Sequence, residues 1–280
     1  MKIATSSPLA VARPLSAAAL EPSAQTVEAA PQECTSCSDI AVIGEEKPSQ
    51  EKEELIRAMV RQAPNPETVC SVVEALSAYP LEALQRVHDF GTRLEIYDFA
   101  GGDQAPDYMP TLNRPDSLGA YNSVANVLGV DKSDLAPFVL LHEFAHALDA
   151  SLGNVSELPE WKNAHYGAKH TDQVVRPYAK HDPSEYLAEN TAAYLISDDA
   201  LYPMIENGFA KGLATNGMDE RSYWQENQNF CRGRLERIDS DGYRMVGDLL
   251  NSLASQPAPP AKPAMDAEQW AAWKAENTRS

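Results

Sequence analysis

The pentapeptide His142-Glu143-Phe144-Ala145-His146 constrains this chain more than any other feature. It lies in an apolar stretch that reads as an amphipathic helix over about 135–152. Ser133-Asp134 is the expected N-cap, Pro137 falls in the first turn and Gly153 is the stop. Residues four apart on a helix stand one above the other on one face, so both imidazoles can reach a single metal ion. Glu143 is rotated about 100° from His142, close to that ion without occupying the same position. Two nitrogens for Zn²⁺ and a carboxylate for the water beside it are the helical part of a hydrolytic zinc site. The alternative is a helix with two surface histidines. The helix cannot complete a zinc site alone, because catalytic zinc takes three protein ligands and one open position. A second segment of the chain has to supply the third.

Several residues are candidates for that ligand. A third histidine of the metzincin kind is absent: Leu152 stands six residues after His146, and Asp149 occupies the glycine position three after it. Asp149 shares the face of His142, but a carboxylate three residues from His146 suits a supporting hydrogen bond better than ligation. His165, His170 and His181 read as loop residues, in a polar connection of roughly 28 residues. Glu185 opens a separate helix, about 183–196, with Glu189 on the same face. Glu185 as ligand with Glu189 as its support makes a glutamate-type zinc site. Asp182-Pro-Ser-Glu185 is equally a capping box, in which Glu185 satisfies a backbone N–H. Both readings stay open on spacing alone.

Composition narrows the function classes. The chain has 280 residues, 43% of them hydrophobic, which suits one globular domain with ends to spare. No apolar run approaches the ~20 residues of a membrane-spanning helix, so membrane insertion is not expected. Lys and Arg total 23 against 41 for Asp and Glu, a formal charge of -18. Nucleic acid is held by clustered cations and is not an expected partner. Four cysteines are too few for a disulfide scaffold in a chain this long. The Cys34-Thr-Ser-Cys37 pair is spaced like half a zinc knuckle or a redox motif, lacks its second half, and reads as ordinary thiols.

Residues 1–49 read as a disordered leader, rich in Ala, Ser and Pro and free of acidic residues before Glu21. Pro8 and Pro14 interrupt any signal-peptide run. Such a leader resembles those of bacterial effectors exported without cleavage, or a plain flexible tail. Order begins near Ser49-Gln50-Glu51, in a helix carrying Ile56, Met59 and Val60. A second helix follows Asn65-Pro66-Glu67, and a third covers about 80–88. Arg93 to Asp98 alternates like a strand, a Pro-rich loop starts at Gly101-Gly102, and 119–130 holds further strand structure. Asp198 to Glu206 and 221–253 read as later helices. Residues 256–280 read as a flexible Pro-rich tail with a short amphipathic turn at 266–275. The expected fold class is α+β, mostly helical, with a small N-terminal sheet and the active-site helix in a domain spanning 50–255.

His142-Glu-Phe-Ala-His146-Ala-Leu-Asp149, then Tyr178, then Glu185-Tyr-Leu-Ala-Glu189 resembles the catalytic domain of anthrax lethal factor and the related Pro-Pro endopeptidases. That family has HExxHxxD, a tyrosine seven residues before the glutamate ligand, and an ExxAE helix; Tyr178 to Glu185 matches the interval. Leu76 to Leu84 and Gly91 to Tyr97 look like the family's helix–proline–helix–strand approach, so the likeness spans roughly 65–200. It implies a zincin-like metalloprotease fold, with Zn²⁺ on His142, His146 and Glu185. It also implies Glu143 and Tyr178 as catalytic residues, with Asp149 and Glu189 behind the ligands. Ala145 stands where the family often has Gly. The chain is far shorter than lethal factor, and neither its targets nor Pro-Pro specificity carries over from these motifs.

The expected function is that of a zinc-dependent endopeptidase acting on protein or peptide substrates. Glu143 would move the proton of the attacking water to the leaving amine, and Tyr178, by resemblance, would donate to the oxyanion or leaving group. By analogy with other zincins, an extended substrate would lie along an edge strand within 119–130. The resemblance and the leader together suggest a secreted bacterial effector, and otherwise a cytoplasmic enzyme. The alternatives are a catalytically inactive zinc-stabilised binding module, a metal-free helical interaction protein, and an aminopeptidase or amidase. A purely structural zinc site needs neither Glu143 nor Tyr178. Oligomeric state is not legible.

Overall fold

The computed structural model describes residues 48–113, 117–197 and 230–278. Its first helices follow their sequence signals. Ser49 caps α1 (Gln50–Met59), and the Asn65 side chain caps α2 (Pro66–Leu76), with Pro66 in the first turn. Helix α3 (Leu81–Phe90) stops at Gly91, whose φ of 91° lies in the left-handed region that glycine enters cheaply. A short strand, β1 (Val60–Gln62), takes Val60 out of the first helix.

Four strands form one sheet in the order β1-β2-β4-β3, with β2 at Arg93–Tyr97, β3 at Gly119–Asn122 and β4 at Val127–Asp131. Strands β1 and β4 run parallel to β2, and β3 runs antiparallel to β4 at the end of the order. Leu94, Ile96, Leu128 and Val130 face the helical core, while Tyr97 and Val127 pack with Tyr108, Met109, Leu112 and Trp270 on the other side. Both faces are therefore covered, and the alternation in β2 separates two buried environments. Glu95 tolerates burial because Arg93 pairs with it at 2.7 Å and the Tyr97 and Tyr108 hydroxyls donate to it.

Helix α4 (Pro137–Ser151) carries the pentapeptide and differs from its expected form. It buries residues on every side, including His142, Glu143 and Asp149, so it is not amphipathic. It packs against α2, α3, β3, β4 and α6 (Pro183–Leu195). No side chain caps its start; Asp131 caps the short turn before it instead. The expected loop after α4 contains another helix, α5 (Pro159–Thr171), with Trp161, His165 and Ala168 on its buried face. His165 and His170 are thus helical residues.

Helices α7 (Arg232–Ile238) and α8 (Ser240–Ser252) occupy the described part of the stretch read as late helices. The expected flexible tail is instead laid along the sheet. Lys262 and Ala264 donate backbone bonds to Phe90 and Gly91 at 2.8 and 3.2 Å, and Met265 donates to Ala125 at 2.8 Å. Helix α9 (Ala267–Asn277) follows, opened by an Asp266–Gln269 capping box, and buries Trp270 stacked on Trp273. Cys70 is disulfide-bonded. Cys34, Cys37, the leader through residue 47 and the helix expected at Asp198 to Glu206 lie outside the described residues. No described helix is long and apolar enough to cross a membrane.

One α2 side chain opposes folding at neutral pH. Burial without a hydrogen-bond partner for Oε1 pushes the Glu74 carboxyl up to about 7, from 4.5 when unfolded. Between those values the unfolded chain gives up a proton that the folded chain keeps, so stability falls as pH rises through this window and levels off above it. Glu74→Gln is expected to leave the melting temperature unchanged at pH 4 and to raise it at pH 8, measured by thermal denaturation. An equal gain at both pH values would contradict the assignment.

Candidate metal centre

Two helices bring three side chains together. His142 and His146 stand one turn apart on α4, and Glu185 lies in the first turn of α6. Glu185 Oε2 is 3.0 Å from His142 Nε2 and 3.4 Å from His146 Nε2, and the two nitrogens are 3.1 Å apart. Tetrahedral zinc, with bonds of about 2.0–2.1 Å, spaces its ligand atoms about 3.3 Å apart. Among the described residues, this is the group of three that could hold a metal ion.

The outer atoms of both imidazoles are also placed. His142 Nδ1 faces Glu189 Oε1 at 3.3 Å, and His146 Nδ1 faces Ser184 Oγ at 3.0 Å. A carboxylate only accepts, so at this separation it favours the tautomer of neutral His142 with its proton on Nδ1 and its Nε2 lone pair toward Glu185 and His146. Glu185 Oε2 is buried and lacks a hydrogen-bond donor. Converging acceptors of this kind suit a shared divalent cation with nitrogen, nitrogen and oxygen ligands. They also suit a proton. Burial opposes charge on His142, but the facing carboxylates of Glu185 and Glu189 outweigh it and push its pKa up to about 10. Burial also works against the Glu185 anion, yet the two histidines hold its carboxyl below the usual range. Metal and proton compete for one nitrogen.

Glu143 interacts with His142, His146 and Glu185 and also reaches strand β3. Burial pushes its carboxyl up, while His142, His146 and the backbone N–H of Tyr121 on β3 pull it down. The strand comes this close because of Gly119: a β-carbon there would sit 2.9 Å from Glu143 Cγ and from Val139 Cγ1. Tyr178 lies in the short turn Pro177–Lys180 and is 46% exposed. Its hydroxyl is 3.4 Å from Glu185 Oε1 and its ring is 5.9 Å from that of His142. Burial, then the negative charge of Glu185, pushes its phenol up to about 12.

His142, Glu143, His146, Tyr178, Glu185 and Glu189 thus meet in one place, and Asp149, which senses His146 through its charge, finds its hydrogen bonds at Ser156. Its carboxylate accepts from the Ser156 N–H at 2.9 Å and hydroxyl at 2.5 Å, closing the turn after α4. Ser184 takes the position beside His146, and its place next to Glu185 was the signal available in the sequence. Asp182 does cap α6, accepting from the Ser184 and Glu185 N–H groups at 2.9 and 3.0 Å. The Glu185 side chain, however, points to the imidazoles, so capping and convergence coexist in one turn. His165 packs on Tyr186, His170 Nδ1 faces the Tyr166 carbonyl, and His181 packs on Tyr178.

No protein-family model matches the chain, and no curated protein matches it. Among solved structures the chain is similar to the Pro-Pro endopeptidase PPEP-2 from Paenibacillus alvei, at 17% identity and a TM-score of 0.44. The match covers 70% of this chain and 99% of that one. At that level the likeness assigns no family.

The contact at Gly119 is open to a direct check. Gly119→Ala is expected to cost about 1–3 kcal/mol, the usual penalty for adding a carbon to a filled site. Denaturant unfolding measures it, and a change below about 0.5 kcal/mol would mean that β3 moves away from α4 freely.

Proposed function

We propose that this protein is a zinc-dependent endopeptidase of zincin-like fold, with His142, His146 and Glu185 as metal ligands. The observation that carries the reading is the ligand triangle, with Glu143 and Tyr178 on its borders. The motif spacing that resembles the lethal factor catalytic domain and the Pro-Pro endopeptidases agrees with it. Zinc held there supplies Lewis acidity, which polarises a carbonyl and acidifies water.

The remaining roles fall to the chain itself. Glu143 takes a proton from the attacking water and delivers it to the leaving amine; its raised pKa brings it nearer to neutral operating pH. Tyr178, exposed and carrying its proton at neutral pH, donates a hydrogen bond to the oxygen on which charge develops. Strand β3 ends the sheet order beside Glu143, so its outer edge offers backbone groups to an extended peptide. Glu189 and Ser184 keep the two imidazoles facing inward. A metal held only for structure would not call for Glu143 and Tyr178 at its border.

Three substitutions separate these roles. Glu143→Ala is expected to keep stoichiometric zinc and to cut turnover by roughly 10²–10⁴-fold. Tyr178→Phe is expected to lower turnover by roughly 10²–10³-fold with metal affinity near wild type. Glu185→Ala is expected to weaken zinc binding itself, measured by metal analysis after dialysis. Cleavage of a peptide library, read by mass spectrometry, is expected to appear with zinc and to vanish with a chelator. Cleavage that survives the chelator, or Glu185→Ala with full zinc and full activity, would overturn the proposal.

A further inference from the structure

We infer that Arg176 is a positioning residue for the metal centre, fixing Glu189 and, through it, the imidazole of His142. The inference rests on the metal-centre reading above and not on the peptidase activity. Arg176 Nε lies 3.7 Å from Glu189 Oε2, and the other Glu189 oxygen faces His142 Nδ1 at 3.3 Å. The Glu189 side chain is 3% exposed, and its Oε2 has no hydrogen-bond donor. A carboxylate so enclosed needs a counter-charge, and the guanidinium supplies it.

The guanidinium is itself held in place by two rings. Its carbon lies 5.0 Å from the centre of the Phe138 ring and 5.2 Å from that of Phe230, and these rings pack edge to face at 6.0 Å. Phe138 stands one turn before His142 on α4, and Arg176 itself is two residues before Tyr178. One planar cation therefore joins the start of α4, the carboxylate on α6 and the turn that carries Tyr178. Arginine suits this position because its flat group can stack on aromatic faces while keeping an N–H toward a carboxylate; an ammonium keeps the charge and loses the stacking.

The test is a double-mutant cycle on zinc affinity, using the full chain and a competing chromogenic chelator. Arg176→Met and Glu189→Gln are each expected to weaken zinc binding by roughly 10–100-fold, the range for partners behind metal ligands. Arg176→Met added to Glu189→Gln is expected to have no further effect. Arg176→Lys is expected to recover part of the affinity, and it carries the cycle if Arg176→Met does not fold in thermal denaturation. Wild-type affinity in Arg176→Met, or equal weakening in both backgrounds, would assign Arg176 to packing alone and overturn the inference. A wild-type chain that binds no zinc would instead remove the metal centre on which it rests.

Discussion

His142, Glu143, His146 and Asp149 project from a helix that is mostly apolar and enclosed. Leaving a polar group buried without a partner costs roughly 2–7 kcal/mol, depending on the reference state. Each of the four therefore depends on a particular neighbour. His142 has Glu185 and Glu189, His146 has Ser184, Glu143 has the Tyr121 N–H, and Asp149 has Ser156. These partners come from α6, from β3 and from the turn after α4. The contacts that satisfy α4 thus also fix where its neighbours sit, and folding and site assembly are one process.

Much of the helical frame was legible because local signals decide it. Asn65-Pro66 and Asp182-Pro183 each place a capping side chain before a first-turn proline, and both helices start there. Helix α4 starts near the expected position but without the expected cap, because Ser133-Asp134 has the right composition and falls in a separate short turn. Helix α5 escaped notice because its buried stripe has one large apolar side chain, Trp161, with a histidine and an alanine completing it. The run 256–266 looked unstructured because prolines dominate it. Its order comes from backbone bonds to Phe90, Gly91 and Ala125, which composition cannot reveal.

The candidate site divides in the same way. The i and i+4 histidines and the Glu185–Glu189 pair each follow from helix geometry, so their shared faces could be read directly. That the two faces meet is a tertiary fact, supplied by the packing of α4 on α6. Spacing places Asp149 near His146 but cannot show Ser156 curling back to bond its carboxylate. Ser184 was missed because a serine in a first turn is usually only a helix-start signal.

The strap of residues 262–265 has a consequence for biosynthesis. Its side-chain ties to Asn126 and Arg93 join positions 136 and 172 residues apart. A ribosome emits the chain from its N-terminus, so the strands are out long before Lys262 and Trp270 exist to cover their second face. During that interval Tyr97, Val127 and the neighbouring apolar groups stay accessible to other nascent chains and to chaperones. Final closure waits for contacts of large sequence separation, and contacts of that kind slow the search for the native state.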